Sequence, residues 1–201
     1  MTKALLFDMG GVVIEIDFDR ALRQWAGMSS LSFEQLRQRF EMDEPYERHE
    51  RGEIAAVEYF AHLRDSLALR GSDGEIALGW NSIYVGEIMD VAKMIRRASQ
   101  KLPCFAFTNT NPTHQAAYSV LYPELLTVFD RVFASSEMGL RKPERAAFEA
   151  ISAEINIGLE EILFFDDSIA NVEAAALVGL SSVHVRSSED VNRALTEIGA
   201  I

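Results

Sequence analysis

The chain has 201 residues, 48% hydrophobic and 25% charged, which excludes wholesale disorder and leaves room for one hydrophobic core with a modest insert. Nineteen Lys and Arg against 31 Asp and Glu give a formal net charge of −12. That balance excludes a broad electrostatic footprint for nucleic acid or an anionic membrane, and taken alone it also disfavours a small anionic substrate.

Residues 4–7 read as a short buried strand. The N-terminus meets Asp8 after four apolar residues, too soon for a signal-peptide apolar region. No stretch approaches the apolar length of a membrane span, so a cytoplasmic protein with no membrane partner is expected. Residues 17–84 then read as helices over 19–25, 33–41, 55–67 and 73–82, with Gly52 and Gly71-Ser72 as breaks. Their aromatics Trp25, Phe40, Phe60 and Trp80 are expected to form the core of this segment, and the charged run 46–53 to be a solvated face. From residue 85 the pattern changes to helices alternating with short apolar runs at 104–108, 131–134, 162–165 and 182–185. Ile88, Val91, Ala92, Ile95 and Ala98 share one face of a helix over 87–101. Pro112 and Pro143 sit at expected helix starts, and Gly158 and Gly179 at expected helix ends. Cys104, the single cysteine, falls in an apolar run and reads as a buried reduced thiol. Tyr118 and Tyr122 are taken as surface aromatics that leave room for a monomer or a homodimer.

Strands alternating with helices predict an α/β fold with a parallel sheet covered on both faces, a Rossmann-like three-layer core. Core segments 1–16 and 85–201 would be interrupted by a helical cap over 17–84.

Four features fall at the carboxyl ends of predicted strands, where ligands bind in open parallel sheets. These are Asp8 with Gly10-Gly11 behind it, the cluster Thr108-Asn109-Thr110-Asn111, the basic run Arg141-Lys142-Pro143 and the acid pair Asp166-Asp167. Each has an ordinary reading alone: a helix N-cap, a turn, a solvated lysine, a capped turn. Their joint order, each at its own strand end, is far more specific.

That order resembles the haloacid-dehalogenase-like hydrolases, most of which are Mg²⁺-dependent phosphatases. The wording of His49-Glu50-Arg51-Gly52-Glu53-Ile54, Thr108-Asn109-Thr110-Asn111, Gly139-Leu140-Arg141-Lys142-Pro143-Glu144 and Phe164-Phe165-Asp166-Asp167 looks especially like bacterial α-glucose-1-phosphate phosphatases. The phosphatase domain of soluble epoxide hydrolases is a more distant likeness. The resemblance implies Asp8 as a nucleophile forming an aspartyl-phosphate. Thr108, helped by the Asn109 N–H, with Thr110 and Arg141 nearby, would hold a phosphate, and Lys142 would bridge nucleophile and phosphate. Asp8, the Gly10 carbonyl and Asp167, with Asp166 beside it, would hold Mg²⁺. The substrate would be a small phosphorylated metabolite, with a sugar phosphate such as glucose 1-phosphate preferred. His49, Glu50 and Arg51 would reach that substrate from the cap, while His114 would line the site and His62 and His184 would be structural.

Elementary electrostatics agrees with this assignment. Three carboxylates crowded at one sheet edge must be protonated, separated or neutralised, and a hard divalent cation with oxygen ligands does the last. An aspartate with an ordinary pKa near 4 attacks at neutral pH without prior deprotonation. One departure stands out: most members of the family carry a second Asp, a general acid and base, two residues after the nucleophile, where this chain has Gly10. Its absence predicts slower turnover, a preference for good leaving groups, or a carboxylate borrowed from Glu15, Asp17 or Asp19. Two alternatives remain: a metal-independent 2-haloacid dehalogenase, and a binding protein that has lost turnover.

Overall fold

The computed structural model describes residues 1–201. The chain begins with β1 (Ala4–Phe7) and β2 (Ile14–Ile16). Five helices follow: α1 (Phe18–Ala26), α2 (Phe33–Arg39), α3 (Glu44–Glu50), α4 (Ala56–Leu67) and α5 (Asp73–Asn81). Next come β3 (Tyr84–Glu87), α6 (Met89–Ala98), β4 (Cys104–Thr108), α7 (Pro112–Leu121) and α8 (Pro123–Leu126). The remainder is β5 (Arg131–Ala134), α9 (Ser135–Met138), α10 (Arg145–Ile155), β6 (Ile162–Asp166), α11 (Ile169–Leu177), β7 (Ser181–His184) and α12 (Ser188–Glu197).

Five strands form one parallel sheet in the order β5-β4-β1-β6-β7. Alternate residues of the central strands feed two separate cores, because successive side chains leave a strand on opposite faces. Leu5, Phe7, Ala106, Leu163 and Phe165 pack with Val91 and Ile95 of α6 and Val191 of α12. Ala4, Leu6, Phe107, Ile162 and Phe164 pack with Phe148 and Ile151 of α10 and Ala175 of α11. The predicted three layers are therefore present, with both sheet faces covered. Cys104 is fully buried, and burial, aided by Asp130, pushes its thiol up to about 12.

The five helices α1–α5 have an aromatic core of their own. Trp25 and Trp80 stack at 5.6 Å, and the Trp25 indole donates to the Ile76 carbonyl at 3.1 Å. Trp25, Phe60 and Trp80 are buried and Phe40 is half-buried. The chain enters and leaves this unit through an antiparallel ribbon of β2 and β3, which the sequence reading lacks.

Other expectations change as well. The charged run expected to be a solvated face lies largely in α3, whose start is capped by Asp43 with Pro45 in the first turn, and Tyr46, His49 and Glu50 of it are buried. Asn156, with φ 56°, ends α10 in place of Gly158. Pro143 lies two residues before α10 rather than at its start. Tyr118, expected at the surface, is buried and packs edge-on against Tyr84. No helix is long and apolar enough to cross a membrane.

Candidate active site

Strand order builds the site. With β1 between β4 and β6, the residues that follow Phe7, Phe107 and Phe165 come together at one sheet edge. Asp8 continues the register, its N–H donating to the Phe165 carbonyl at 2.8 Å. Asp166 is the last residue of β6, and Asp167 follows it. Carboxylate oxygens of Asp8, Asp166 and Asp167 lie within 4.8 Å of one another.

Lys142 enters this cluster from the segment after α9 and is 1% exposed. Its ammonium donates to Asp8 Oδ1 at 2.7 Å, Asp166 Oδ2 at 2.8 Å and the Phe107 carbonyl at 2.9 Å. An ammonium has three N–H donors, so all three are spent. Lys142 therefore bridges the two aspartates here rather than presenting a free donor to the cavity. Burial alone would push its ammonium down, but Asp8 and Asp166 outweigh that and hold it above the ordinary lysine value.

The three carboxylates are not equivalent. Asp166 is fully buried and also accepts from the Ser168 N–H at 2.8 Å and from Asn171 Nδ2, so both its oxygens have partners. Asp8 Oδ1 accepts from Lys142 and from the Met9 N–H at 2.8 Å, whereas Oδ2 has no hydrogen bond. Asp167 is exposed, and its carboxylate packs on Gly11, where φ is +79° and a Cβ would collide with it. Only glycine meets both demands at position 11.

Burial raises the Asp8 carboxyl to about 7; Lys142 opposes that, and the neighbouring aspartates add to it. This corrects the expectation of an ordinary, fully ionised nucleophile. At neutral pH Asp8 needs more positive charge than Lys142 supplies to be wholly ionised. Burial, with Asp166 beside it, raises Asp167 too. A set of crowded oxygens, two residues of which keep unpartnered oxygen atoms, has the hardness and charge that suit a small divalent cation.

The predicted phosphate ligands divide. Thr108 is buried on the cavity wall, its hydroxyl 3.5 Å from the Asn109 carbonyl. The Asn109 amide clamps the lysine backbone, donating to the Lys142 carbonyl at 2.9 Å and accepting from its N–H at 2.8 Å. The Thr110 N–H donates to Ser135 Oγ at 2.8 Å, and Ser135 Oγ lies 2.6 Å from the Glu50 carbonyl. This serine, unnoticed in the sequence, ties α3 to the β4 loop. No motif marks it, since its role follows from being the first residue of α9. Arg141 lines the cavity, but Glu50 and Glu47 hold its guanidinium at 2.9 and 3.0 Å.

Of His49, Glu50 and Arg51, the three residues expected to reach substrate, only Glu50 lines the cavity. Burial raises its carboxyl despite the Arg141 partner. His49 instead stacks on Tyr59 at 4.7 Å, with Nδ1 3.2 Å from the Ile54 carbonyl. Arg51 turns to Glu144 at 2.6 Å and Glu47 at 3.3 Å. Neither His49 nor Arg51 borders the cavity. His114 does line it, with Nδ1 3.2 Å from Asn111 Nδ2 and Nε2 3.2 Å from the Trp80 carbonyl. Burial lowers its pKa to about 3, which leaves it neutral and without a free nitrogen. His62 pairs with Asp43 at 2.7 Å, and His184 contacts the Asp167 carbonyl at 3.0 Å.

None of the acids proposed to replace the residue missing at Gly10 borders the cavity. Asp17 caps α1, Asp19 pairs with Arg37 at 3.3 Å, and Glu15 is exposed. A Cβ at Gly10 would meet Ile16 Cδ1 at 2.9 Å, so a hydrocarbon occupies the space that a side chain from position 10 would enter. The cavity itself measures about 430 Å³, with Asp8, Glu50 and Asp167 as its only carboxylates.

The chain is similar to several known proteins. Sesquiterpene phosphatase astK of Aspergillus oryzae is 25% identical over 191 residues, 92% of this chain and 91% of that protein. D-ribitol-5-phosphate phosphatase of Bacteroides thetaiotaomicron is 22% identical, covering 98% of each. A 72-residue stretch is 38% identical to drimenol cyclase drtB of Aspergillus calidoustus, spanning only 14% of that longer protein. The crystal structure of HAD family enzyme bt-2542 of Bacteroides thetaiotaomicron, in complex with magnesium and inorganic phosphate, superimposes with a TM-score of 0.78. It is 26% identical, over 90% of this chain and 93% of that one. Residues 2–179 match the family description, so the chain belongs to the haloacid dehalogenase-like hydrolases.

Proposed function

We propose that this hydrolase is a Mg²⁺-dependent phosphomonoesterase acting on a small phosphorylated metabolite, with Asp8 as its nucleophile. The observation that carries the reading is the division of labour around Lys142. One oxygen of Asp8 is locked by the lysine and the Met9 N–H while the other stays unpartnered at the cavity. Asp8 Oδ2 attacks phosphorus, the ester P–O bond breaks, and the departing alcohol oxygen takes a proton from water. Water then attacks the aspartyl-phosphate, its P–O bond to Asp8 breaks, and inorganic phosphate leaves with the carboxylate restored.

Asp8, Asp167 and the Gly10 carbonyl would hold Mg²⁺, while Asp166 serves as the buried partner of Lys142. Bound there, the cation supplies charge that offsets the repulsion between carboxylate and phosphate. The Thr108 hydroxyl and Asn109 N–H hold phosphate oxygens, and Asn109 keeps Lys142 in place. Residues 17–84 act as the cap, and Glu50 is the carboxylate it brings to the cavity. The resemblance in sequence favours a sugar phosphate such as glucose 1-phosphate, and the relative that acts on D-ribitol 5-phosphate supports a polyol. The sesquiterpene phosphatase supports an apolar alcohol instead. A dehalogenase has no use for Asp167, though Asp166 would serve either chemistry as the partner of Lys142.

The test is phosphate release from phenyl phosphate with Mg²⁺, with EDTA, and by Asp8→Asn. Turnover should need the metal and fall at least about 10³-fold in the variant, since Asp8 is the cavity carboxylate that Lys142 holds with one oxygen left unpartnered. Release that survives Asp8→Asn sinks the mechanism. Halide release from 2-chloropropionate without metal would establish the dehalogenase.

A further inference from the structure

The two walls of the cavity differ in chemistry. Strand ends supply Asp8, Thr108 and Asp167, and the segment after α9 supplies Lys142, to make the anion-handling side. The β2–β3 ribbon and the helical insert supply Ile16, Phe18, Met42, Ile83 and Tyr84. The charged and imidazole groups near this second wall are already engaged, Glu50 by Arg141 at 2.9 Å and both His114 nitrogens by Asn111 and Trp80, so the tyrosine hydroxyls of Tyr46 and Tyr84 are the polar atoms it has left to offer. Among the buried polar atoms of lining residues, only the Tyr118 hydroxyl lacks a partner. A polyol brings several hydroxyls, and each one buried unpaired costs roughly 5- to 150-fold in binding. Every methylene buried instead gains about fourfold.

Ile16 makes the contrast sharpest. Its Cδ1 occupies the space next to Gly10, two residues from the nucleophile. Hydrocarbon therefore begins beside the reacting centre. At roughly 30 Å³ for each water-sized group, the 430 Å³ cavity holds on the order of 14 non-hydrogen atoms. A phosphate takes five of them. The rest accommodates a group of roughly nine carbons, and a longer chain would pass Met42, which is 56% exposed.

We propose that the alcohol part of the substrate is a hydrocarbon, and that Ile16, Phe18 and Ile83 select it over a polyol. This inference rests on the phosphomonoesterase reading and names the substrate class within it.

The experiment compares kcat/KM for ethyl, butyl, hexyl and octyl phosphate with that for ribitol 5-phosphate. All are esters of primary alcohols, so the chemical step is held nearly constant. Phenyl phosphate serves as the reference. The expected result is a two- to fourfold rise per methylene through hexyl, with hexyl phosphate at least about 50-fold ahead of ribitol 5-phosphate. Ile16→Asn should flatten the slope, which is a ratio among substrates in one preparation and so does not depend on how much protein folds. Met42→Gln, at an exposed position, should lower octyl relative to hexyl phosphate. A flat series, or ribitol 5-phosphate ahead of hexyl phosphate, overturns the inference while hydrolysis of phenyl phosphate leaves the phosphomonoesterase intact. If no ester is hydrolysed, that reading fails instead. Calorimetry with hexylphosphonate against ribitol 5-phosphate then decides the wall's preference: tighter phosphonate binding upholds it and equal or weaker binding overturns it.

Discussion

The sheet edge and the helical insert are held together by different physics. At the edge, strand register positions the carboxylates, and buried hydrogen bonds around Lys142 use up nearly every donor and acceptor. In the insert, stacked aromatics provide the core, and its side-chain hydrogen bonds lie mostly at exposed or half-buried helix ends, with the Trp25–Ile76 bond the buried one. The two meet through the β2–β3 ribbon and a short set of polar contacts: Arg51 to Glu144, Arg141 to Glu47 and Glu50, Ser135 Oγ to the Glu50 carbonyl, and His114 to the Trp80 carbonyl. A reactive site needs fixed atoms and gets them from the sheet. A wall that selects substrates needs shape, and apolar side chains give it.

The strongest way to break this contrast is Lys142→Met. Two buried carboxylates would lose their common cation, and urea denaturation at pH 8 should show a loss of about 3–5 kcal/mol. An unchanged midpoint would mean that the edge does not depend on that ammonium. The second effect is smaller and runs with pH. A folded-state carboxyl raised to about 7 binds its proton more tightly than the unfolded chain does. Between the ordinary value of 3.8 and about 7, the metal-free protein therefore loses stability as pH rises, by at most about 1.4 kcal/mol per unit. Above that range the contribution of Asp8 is flat. Denaturation in EDTA at pH 5, 6, 7 and 8 reads the trend, and its reversal would contradict the burial of Asp8. Smallest of all, Arg51→Ala removes a partly exposed ion pair between the two regions and should cost about 1 kcal/mol or less. A larger loss would show that the insert depends on its docking contacts more than on its aromatic core.

The same contrast governs how much could be read from the sequence. The three central strands were the most legible because each is a short apolar run covered on both faces, and the ordered acids and hydroxyls at their ends, with the lysine between them in the sequence, marked the site. Which aspartate would partner Lys142 was not legible. Asp166 and Asp167 are adjacent and chemically alike, and only the end of β6 turns one inward and leaves the other exposed. The ribbon was missed because β2 has three residues and its pairing lies some seventy residues away. The start of α3 was readable in principle from Asp43 and Pro45, but its charge density suggested a solvated face. The placement of Ile16 beside Gly10 depends on that long-range pairing, and no local pattern encodes it.

The buried thiol of Cys104 has a practical consequence. With its pKa near 12, only on the order of one molecule in 10⁵ carries a thiolate at neutral pH, and the residue has no exposed surface. Cysteines introduced at exposed positions such as Val57 on α4 and Leu177 at the end of α11 can therefore carry a donor and acceptor dye without removing the native residue. The distance between insert and core then becomes measurable by fluorescence on the unmodified scaffold.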